Sequence, residues 1–191
     1  MDNLIGKIIT LRPLRDEDFE YIASLKNDTR TQARGLRLPP NFTAARTMED
    51  MRSTYDRPNR GVWAIETKAG KLAGFIDYVE DPPRFAVSIG IATGVEHWGK
   101  GYAEEAMELI MRFLFEERGL QSVSLWTTSW NERMVGLAQK LGFKIVVRER
   151  EARFLDGEYS DGLMMDMLRE EYYASRGLKD ELPSGPSTGG R

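Results

Sequence analysis

The chain has no cysteine and a single histidine, His97. Lack of cysteine excludes a disulfide framework, a thiolate metal site and a sulfur nucleophile. One imidazole excludes a multi-histidine metal centre as well, so no metal is expected. An excess of one charge is missing too: 27 Lys and Arg stand against 30 Asp and Glu, a net −3. That gives no bulk electrostatic case for nucleic acid or an anionic membrane. No apolar run approaches the roughly 18 residues needed to span a bilayer. The opening Met1-Asp2-Asn3-Leu4-Ile5-Gly6-Lys7 lacks the basic, apolar and small-residue succession of a signal peptide, so a cytoplasmic address is expected.

What is present is an ordinary soluble composition in 191 residues, long enough for one domain with a real core. We expect that domain over residues 1–176. Residues 177–191 are rich in Gly, Pro and Ser and read as a flexible tail.

Residues 7–12 alternate as a first strand, stopped by Pro13. Asp16 suits a helix N-cap, with Phe19, Ile22, Ala23 and Leu25 as the apolar stripe behind it. Residues 29–41, ending in Pro39-Pro40, read as a loop. A second helix follows from Thr43 or Ala44 to about Tyr55. Residues 62–67 and 72–79 form a hairpin around Lys68-Ala69-Gly70-Lys71, closed by Asp81-Pro82-Pro83. A strand over 85–93 leads to a periodic helix from Tyr102 to about Glu117, ended by Gly119. Next come a buried-type strand over 121–126 and a helix over 131–141 stopped by Gly142. A hairpin of 144–153 and 159–168 turns at Leu155-Asp156-Gly157, and a short helical segment starts at Arg169. The class is α/β (α+β), a mixed sheet with helices on its faces.

The stretch Trp98-Gly99-Lys100-Gly101-Tyr102-Ala103 joins a strand to a helix. Amides that open a helix lack intrahelical partners and carry the positive end of the macrodipole, which makes them an anion site. Gly99 and Gly101 remove the Cβ atoms that would hold an anion away, and Lys100 adds charge. The stretch therefore reads as a pyrophosphate cradle. The dinucleotide fingerprint fails, because Glu104 occupies its third small position; the nucleotide P-loop fails, because Lys100 precedes Gly101 rather than Ser or Thr.

This loop resembles the acyl-CoA loop of the GNAT acyltransferases, Q/R-x-x-G-x-G/A, with Trp98 in the Gln/Arg place as in the RimJ/RimL-like branch. Asn131 at a helix start, with Lys140-Leu141-Gly142-Phe143 at its end, repeats a second family segment at the family spacing. The opening Leu11-Arg12-Pro13-Leu14-Arg15-Asp16-Glu17-Asp18 and the hairpin around Leu155-Asp156-Gly157 are similar to that branch as well. The resemblance runs over residues 7–168.

It implies a mostly antiparallel mixed sheet splayed between two parallel strands. It implies an N-acetyltransferase moving acetyl from acetyl-CoA to a primary amine, of a small molecule or a peptide N-terminus, by direct attack in a ternary complex. The alternative is an acyl-CoA-binding module with little catalysis. The cofactor residues it implies are Ile91 and Thr93, by backbone pairing with pantetheine, the loop from Trp98 through Gly99, Lys100, Gly101 and Tyr102 to Ala103, and Asn131. Arg133 and Lys140 are either near the adenosine or solvated. Homodimers through the sheet edge or the last hairpin are common in the family.

The chain departs from the family at its proton-handling positions. The usual strand Glu is Ser88, and the usual helical Tyr is Ala138. Catalytic candidates are therefore Asp77, Ser88 and Ser129, with Glu66, His97, Glu158 and Tyr159 behind them. Residues 27–60 cover the acceptor side in that fold. They hold Arg30, Arg34, Arg37, Arg46, Arg52, Arg57 and Arg60, which turns the expectation toward an acceptor bearing carboxylate or phosphate.

Overall fold

The computed structural model describes residues 2–32, 41–80, 86–155 and 157–179. Expectations resting on Arg34, Arg37, Pro39-Pro40, Asp81-Pro82-Pro83, Phe85, Asp156 and the tail beyond Lys179 lie outside the described residues. Eight strands make one sheet in the order β1-β2-β3-β4-β5-β6-β8-β7. They are β1 Leu4–Ile5, β2 Ile9–Arg12, β3 Arg60–Thr67, β4 Leu72–Glu80, β5 Ala86–Thr93, β6 Ser122–Thr128, β7 Lys144–Leu155 and β8 Glu158–Leu168. Every neighbouring pair is antiparallel except β5 and β6.

Strand alternation sends two residue sets to opposite faces. Trp63, Ile65, Ile76, Tyr78, Val87, Ile89, Val123 and Leu125 bury against α4 (Tyr102–Arg112) and α5 (Glu132–Leu141). Phe75 buries on the other face with Phe19, Ile22 and Leu25 of α1 (Asp18–Asn27) and Met51 of α3 (Ala44–Tyr55). The helix expected to run to Glu117 keeps α geometry only to Arg112, then widens into a π-type turn over Phe113–Glu117. The last helix, α6 (Arg169–Arg176), lies over that turn, with Tyr172 stacked on Phe115.

Three local expectations change. The first strand is shorter than expected at Ile9–Arg12, and a separate β1 precedes it. Residues 7 and 8 are turn because their amides, with that of Ile9, bind the Glu105 carboxylate at 2.6, 2.9 and 2.9 Å. Asp16 does not cap α1, which starts at Asp18 behind Glu17 with no side-chain cap. Asp16 pairs instead with Arg52 at 2.7 Å. Thr29–Gln32, expected as loop, forms the short helix α2.

β5 and β6 pair only from Ala86/Ser122 to Ser88/Ser124. Beyond that they part, while β5 stays paired with β4 up to Thr93. The Gly94 amide donates to Ala73 O on β4 at 3.0 Å. An antiparallel ladder alternates, so Ser88, Gly90 and Ala92 also turn their backbone groups to β4. Ile89, Ile91 and Thr93 then turn theirs to the gap that β6 has left.

Candidate active site

Two cavities border the gap. On the α4 side a cavity of about 740 Å³ is lined by Ile91, Thr93, Trp98, Gly99, Gly101, Tyr102, Ala103 and Asn131. Those are the residues the acyl-CoA resemblance singles out, except Lys100, which is exposed beside the cavity. Gly101 precedes α4 with φ +79°, and Gly99 has φ +73°. These left-handed turns bring the loop back so that the α4 N-terminus faces the cavity. Glu105 N bonds Gly101 O at 3.0 Å, which leaves the amides of Tyr102, Ala103 and Glu104 as the first-turn donors with no intrahelical acceptor.

Trp98 shapes the loop from its family Gln/Arg position. Its Nε1 donates to Thr93 O at 3.1 Å, tying the loop to the end of β5. The Arg133 guanidinium lies 4.5 Å from its ring centroid. Arg133 also lines the cavity, whereas Lys140 is held by Glu104 at 2.6 Å. Asn131 caps α5 through Met134 N and anchors to Thr127 Oγ1 at 3.1 Å. Arg30, expected over the acceptor, and Thr31, which the sequence did not single out, both lie on α2 and border this cavity. Helicity there carries no periodic signal, because α2 is a single turn. His97 lines the cavity too, its Nδ1 buried without a hydrogen-bond partner among the described residues and its ring 5.8 Å from that of Tyr102.

On the α1/α3 side a cleft of about 590 Å³ is lined by Asp77, Val79, Ser88, Ile89, Gly90, Trp126, Glu149 and Arg153. The two cavities share β5 as a wall: the cleft takes residues 88–90 and the larger cavity residues 91–93. Asp77 is half-buried, and burial pushes its carboxyl up to about 6, against the opposing pull of a Tyr55 hydrogen bond, Lys26 and the Gly90 amide. Burial pushes the Tyr55 hydroxyl up, with the Asp77 charge adding to it. Lys26 is pushed down by burial, and its Nζ stands 5.0 Å from the Phe42 ring centroid.

Of the other catalytic candidates, Ser88 lines this cleft. Ser129 lines neither cavity; its Oγ lies 2.9 Å from Ser160 Oγ and accepts from Asp161 N at 3.2 Å. Glu66 accepts from Arg12 Nε at 2.6 Å, within the buried Arg12–Asp18 pair. Glu158 and Tyr159 sit at the exposed hairpin tip, Tyr159 packed on Phe154 at 4.9 Å. Three arginines expected over the acceptor are engaged elsewhere: Arg30 with Asp28, Arg46 with Asp50 and Arg52 with Asp16. Arg57 and Arg60 border a separate cavity near Trp63.

The family model described as Acetyltransferase (GNAT) domain matches residues 9–144. The N-acetyltransferase YokL of a Bacillus subtilis prophage is 27% identical over 90% of this chain and 96% of its own length. The spermidine N(1)-acetyltransferase of Escherichia coli K12 is 26% identical over 87% of this chain and 89% of its own. The solved structure of the Vibrio cholerae spermidine N-acetyltransferase with CoA and spermine superposes with a TM-score of 0.78. It has 22% identity and covers 87% of this chain and 99% of that one.

Proposed function

The chain belongs to the GNAT family and is an acetyl-CoA-dependent N-acetyltransferase, and from that premise we propose its acceptor side, route and proton-handling groups. The acceptor is a primary amine of a small molecule, bound in the Asp77 cleft. The relatives named for spermidine support a small amine. A protein N-terminus is the second reading, favoured by the segments that resemble the RimJ/RimL-like branch. One observation carries the assignment: two cavities border adjoining stretches of β5, residues 91–93 and 88–90, along the edge that parts from β6. Acetyl-CoA enters from the α4 face and the amine from the other, so both sit in one ternary complex.

The neutral amine nitrogen attacks the thioester carbonyl carbon. The carbon–sulfur bond breaks, the amide forms, and CoA leaves as a thiolate that takes up a proton. The proton shed by the amine passes to Asp77, whose raised pKa leaves it mostly ionised at pH 7 yet basic enough to accept. Tyr55 donates to Asp77 and orients it. A backbone amide of the β5 edge stabilises the oxyanion. Ser88 holds water in the cleft. Ser129 fixes the end of β6 on β8 and contributes through that placement. The exposed Phe154–Tyr159 pair supports a homodimer through the β7–β8 hairpin.

The test is release of free thiol from acetyl-CoA across a panel of amines. Turnover on at least one small amine is expected. Stabilisation of the fold by acetyl-CoA with no thiol released by any amine would leave only the binding-module reading.

A further inference from the structure

We infer that the acceptor carries a carboxylate as well as its amine, and that Arg153 and Glu149, set on a bulge of β7, select it. The inference rests on the acetyl-transfer reading above and names the substrate class of that site.

β7 is an irregular strand. Glu149 faces Gly162 on β8, but Arg153 faces Ser160. Residues 150–152 therefore oppose Asp161 alone. Such bulges bend a strand and re-aim its side chains, and they recur beside active sites. Glu151 takes φ +53° at this point, a left-handed conformation costly for a residue with a Cβ. Backbone of that kind persists where its surroundings over-determine it. Here Asp161 does so: Oδ1 accepts from Glu151 N at 3.0 Å and Oδ2 binds Arg148 Nη1 at 2.6 Å.

The bulge brings Glu149 and Arg153 together to the border of the cleft that holds Asp77 and Trp126. Gly162 makes room for the first of them, since a Cβ there would lie 3.0 Å from Glu149 Oε2. Neither Glu149 nor Arg153 makes an ion pair with another described residue. Arg153 donates from Nη1 to Ala152 O at 2.8 Å, a single local bond for a five-donor group. A guanidinium and a carboxylate that make no ion pair with each other, bordering one cleft with Asp77, match a ligand carrying both signs. Glu149 meets the ammonium as it enters, and Arg153 takes the carboxylate in the fork geometry that suits it. A polyamine would instead set cationic nitrogens against Arg153. A cleft of about 590 Å³ suits an amino-acid-sized molecule.

The test uses the full chain, acetyl-CoA and pairs of amines differing by one carboxylate: lysine with cadaverine and tryptophan with tryptamine, with spermidine as a further arm. Thiol release should favour the amino acid within each pair. Arg153→Gln should raise KM for the amino acid about 10- to 100-fold, leave kcat and the decarboxylated partner nearly unchanged, and so erase the preference. Arg153→Lys, which keeps the charge and loses the fork, should fall between. Glu149→Gln should weaken both members of each pair. Turnover that favours spermidine or the decarboxylated amines in the wild type overturns the inference and leaves acetyl transfer standing. So does a preference that survives Arg153→Gln. Absence of thiol release from every amine overturns the acetyl-transfer reading itself, and this inference with it.

Discussion

Asp77 on β4 stands opposite Gly90 on β5, and a Cβ on Gly90 would come within 3.0 Å of Asp77 Oδ1. The carboxyl therefore lies across its cross-strand neighbour instead of beside it, next to the β5 edge that the gap exposes. Replacing Gly90 with Ala should displace that carboxyl by a few tenths of an ångström. Turnover should fall with little change in KM for acetyl-CoA, as steady-state kinetics with each substrate varied would show.

The pH dependence of Asp77 has a defined sign. Tyr55 of α3, Lys26 of α1, the Gly90 amide, and Glu149 and Arg153 of β7 face it or share its cleft. Its pKa is raised to about 6 by burial, so the folded state holds this proton more tightly than the unfolded state. No stability is lost below the unfolded value near 4; the cost of ionisation grows as pH rises from there to about 6 and is constant above it. Asp77→Asn should therefore be more stable than wild type at pH 7, by about 2–3 kcal/mol, with the difference vanishing below pH 4. Its activity should run the other way. Wild-type kcat/KM should show a limb through pH about 6 on top of the rise from the amine's own deprotonation, and the variant should lose that limb and about 100-fold in rate. An unchanged pH–rate profile in Asp77→Asn would remove Asp77 from the chemistry.

The two loop glycines separate backbone strain from contact. At Gly99 an added Cβ meets nothing within 4 Å, while at Gly101 it reaches Ile8 Cδ1 at 3.4 Å. Both have positive φ, so Ala at either costs about 1–2 kcal/mol of local strain. Gly101 stands immediately before the helix amides, so Gly101→Ala should also raise KM for acetyl-CoA well above the effect of Gly99→Ala. Calorimetric binding of CoA to both variants would check this.

Arg12 grips Asp18 with two bonds, 2.7 and 2.9 Å, and Glu66 with a third at 2.6 Å, all behind the sheet's second strand. Burial alone would raise the Asp18 pKa, but the Arg12 hydrogen bonds, with help from the Arg15 amide, bring it below the ordinary value. That stabilisation is present above the unfolded pKa near 4 and is lost as pH falls through the lower folded one. Arg12→Ala leaves a buried carboxylate unpaired and should cost about 3–5 kcal/mol in urea unfolding at pH 7. The cost should shrink in acid.

Glu105 links the N-terminal strands to α4, whose first turn lines the larger cavity. Its carboxylate collects the amides of Lys7, Ile8 and Ile9. Gly6 leaves it room, because a Cβ there would lie 2.6 Å from the carboxylate. Glu105→Gln keeps one acceptor oxygen and should cost about 1–2 kcal/mol of stability. Activity below the melting temperature should stay within twofold of wild type.

The parts legible in sequence were those written in local pattern. The glycine turn before α4, the α4 and α5 stripes, the Asn131 cap and the two hairpins follow from spacing, turn residues and resemblance. Ranking the catalytic candidates was beyond that kind of reading. Asp77, Ser88 and Ser129 look equivalent as polar groups on strands or strand ends, yet one is buried beside a tyrosine, one borders a cleft and one is tied to Ser160. The arginines of residues 27–60 could not be sorted for the same reason. Arg46 and Arg52 read as cover for the acceptor, but their partners sit on neighbouring turns and helices.

Sequence by itself determined the family and, through it, the cofactor, because a glycine-bearing turn before a helix start and the Asn131 to Phe143 segment are local patterns that survive in one dimension. Tertiary structure decided which polar side chains share the second cleft. Asp77 gains its basicity from burial under α1 and α3, and Glu149 and Arg153 reach the cleft through a bulge that Asp161 holds from the next strand. Those effects depend on distances between residues far apart in the chain, which no local pattern encodes.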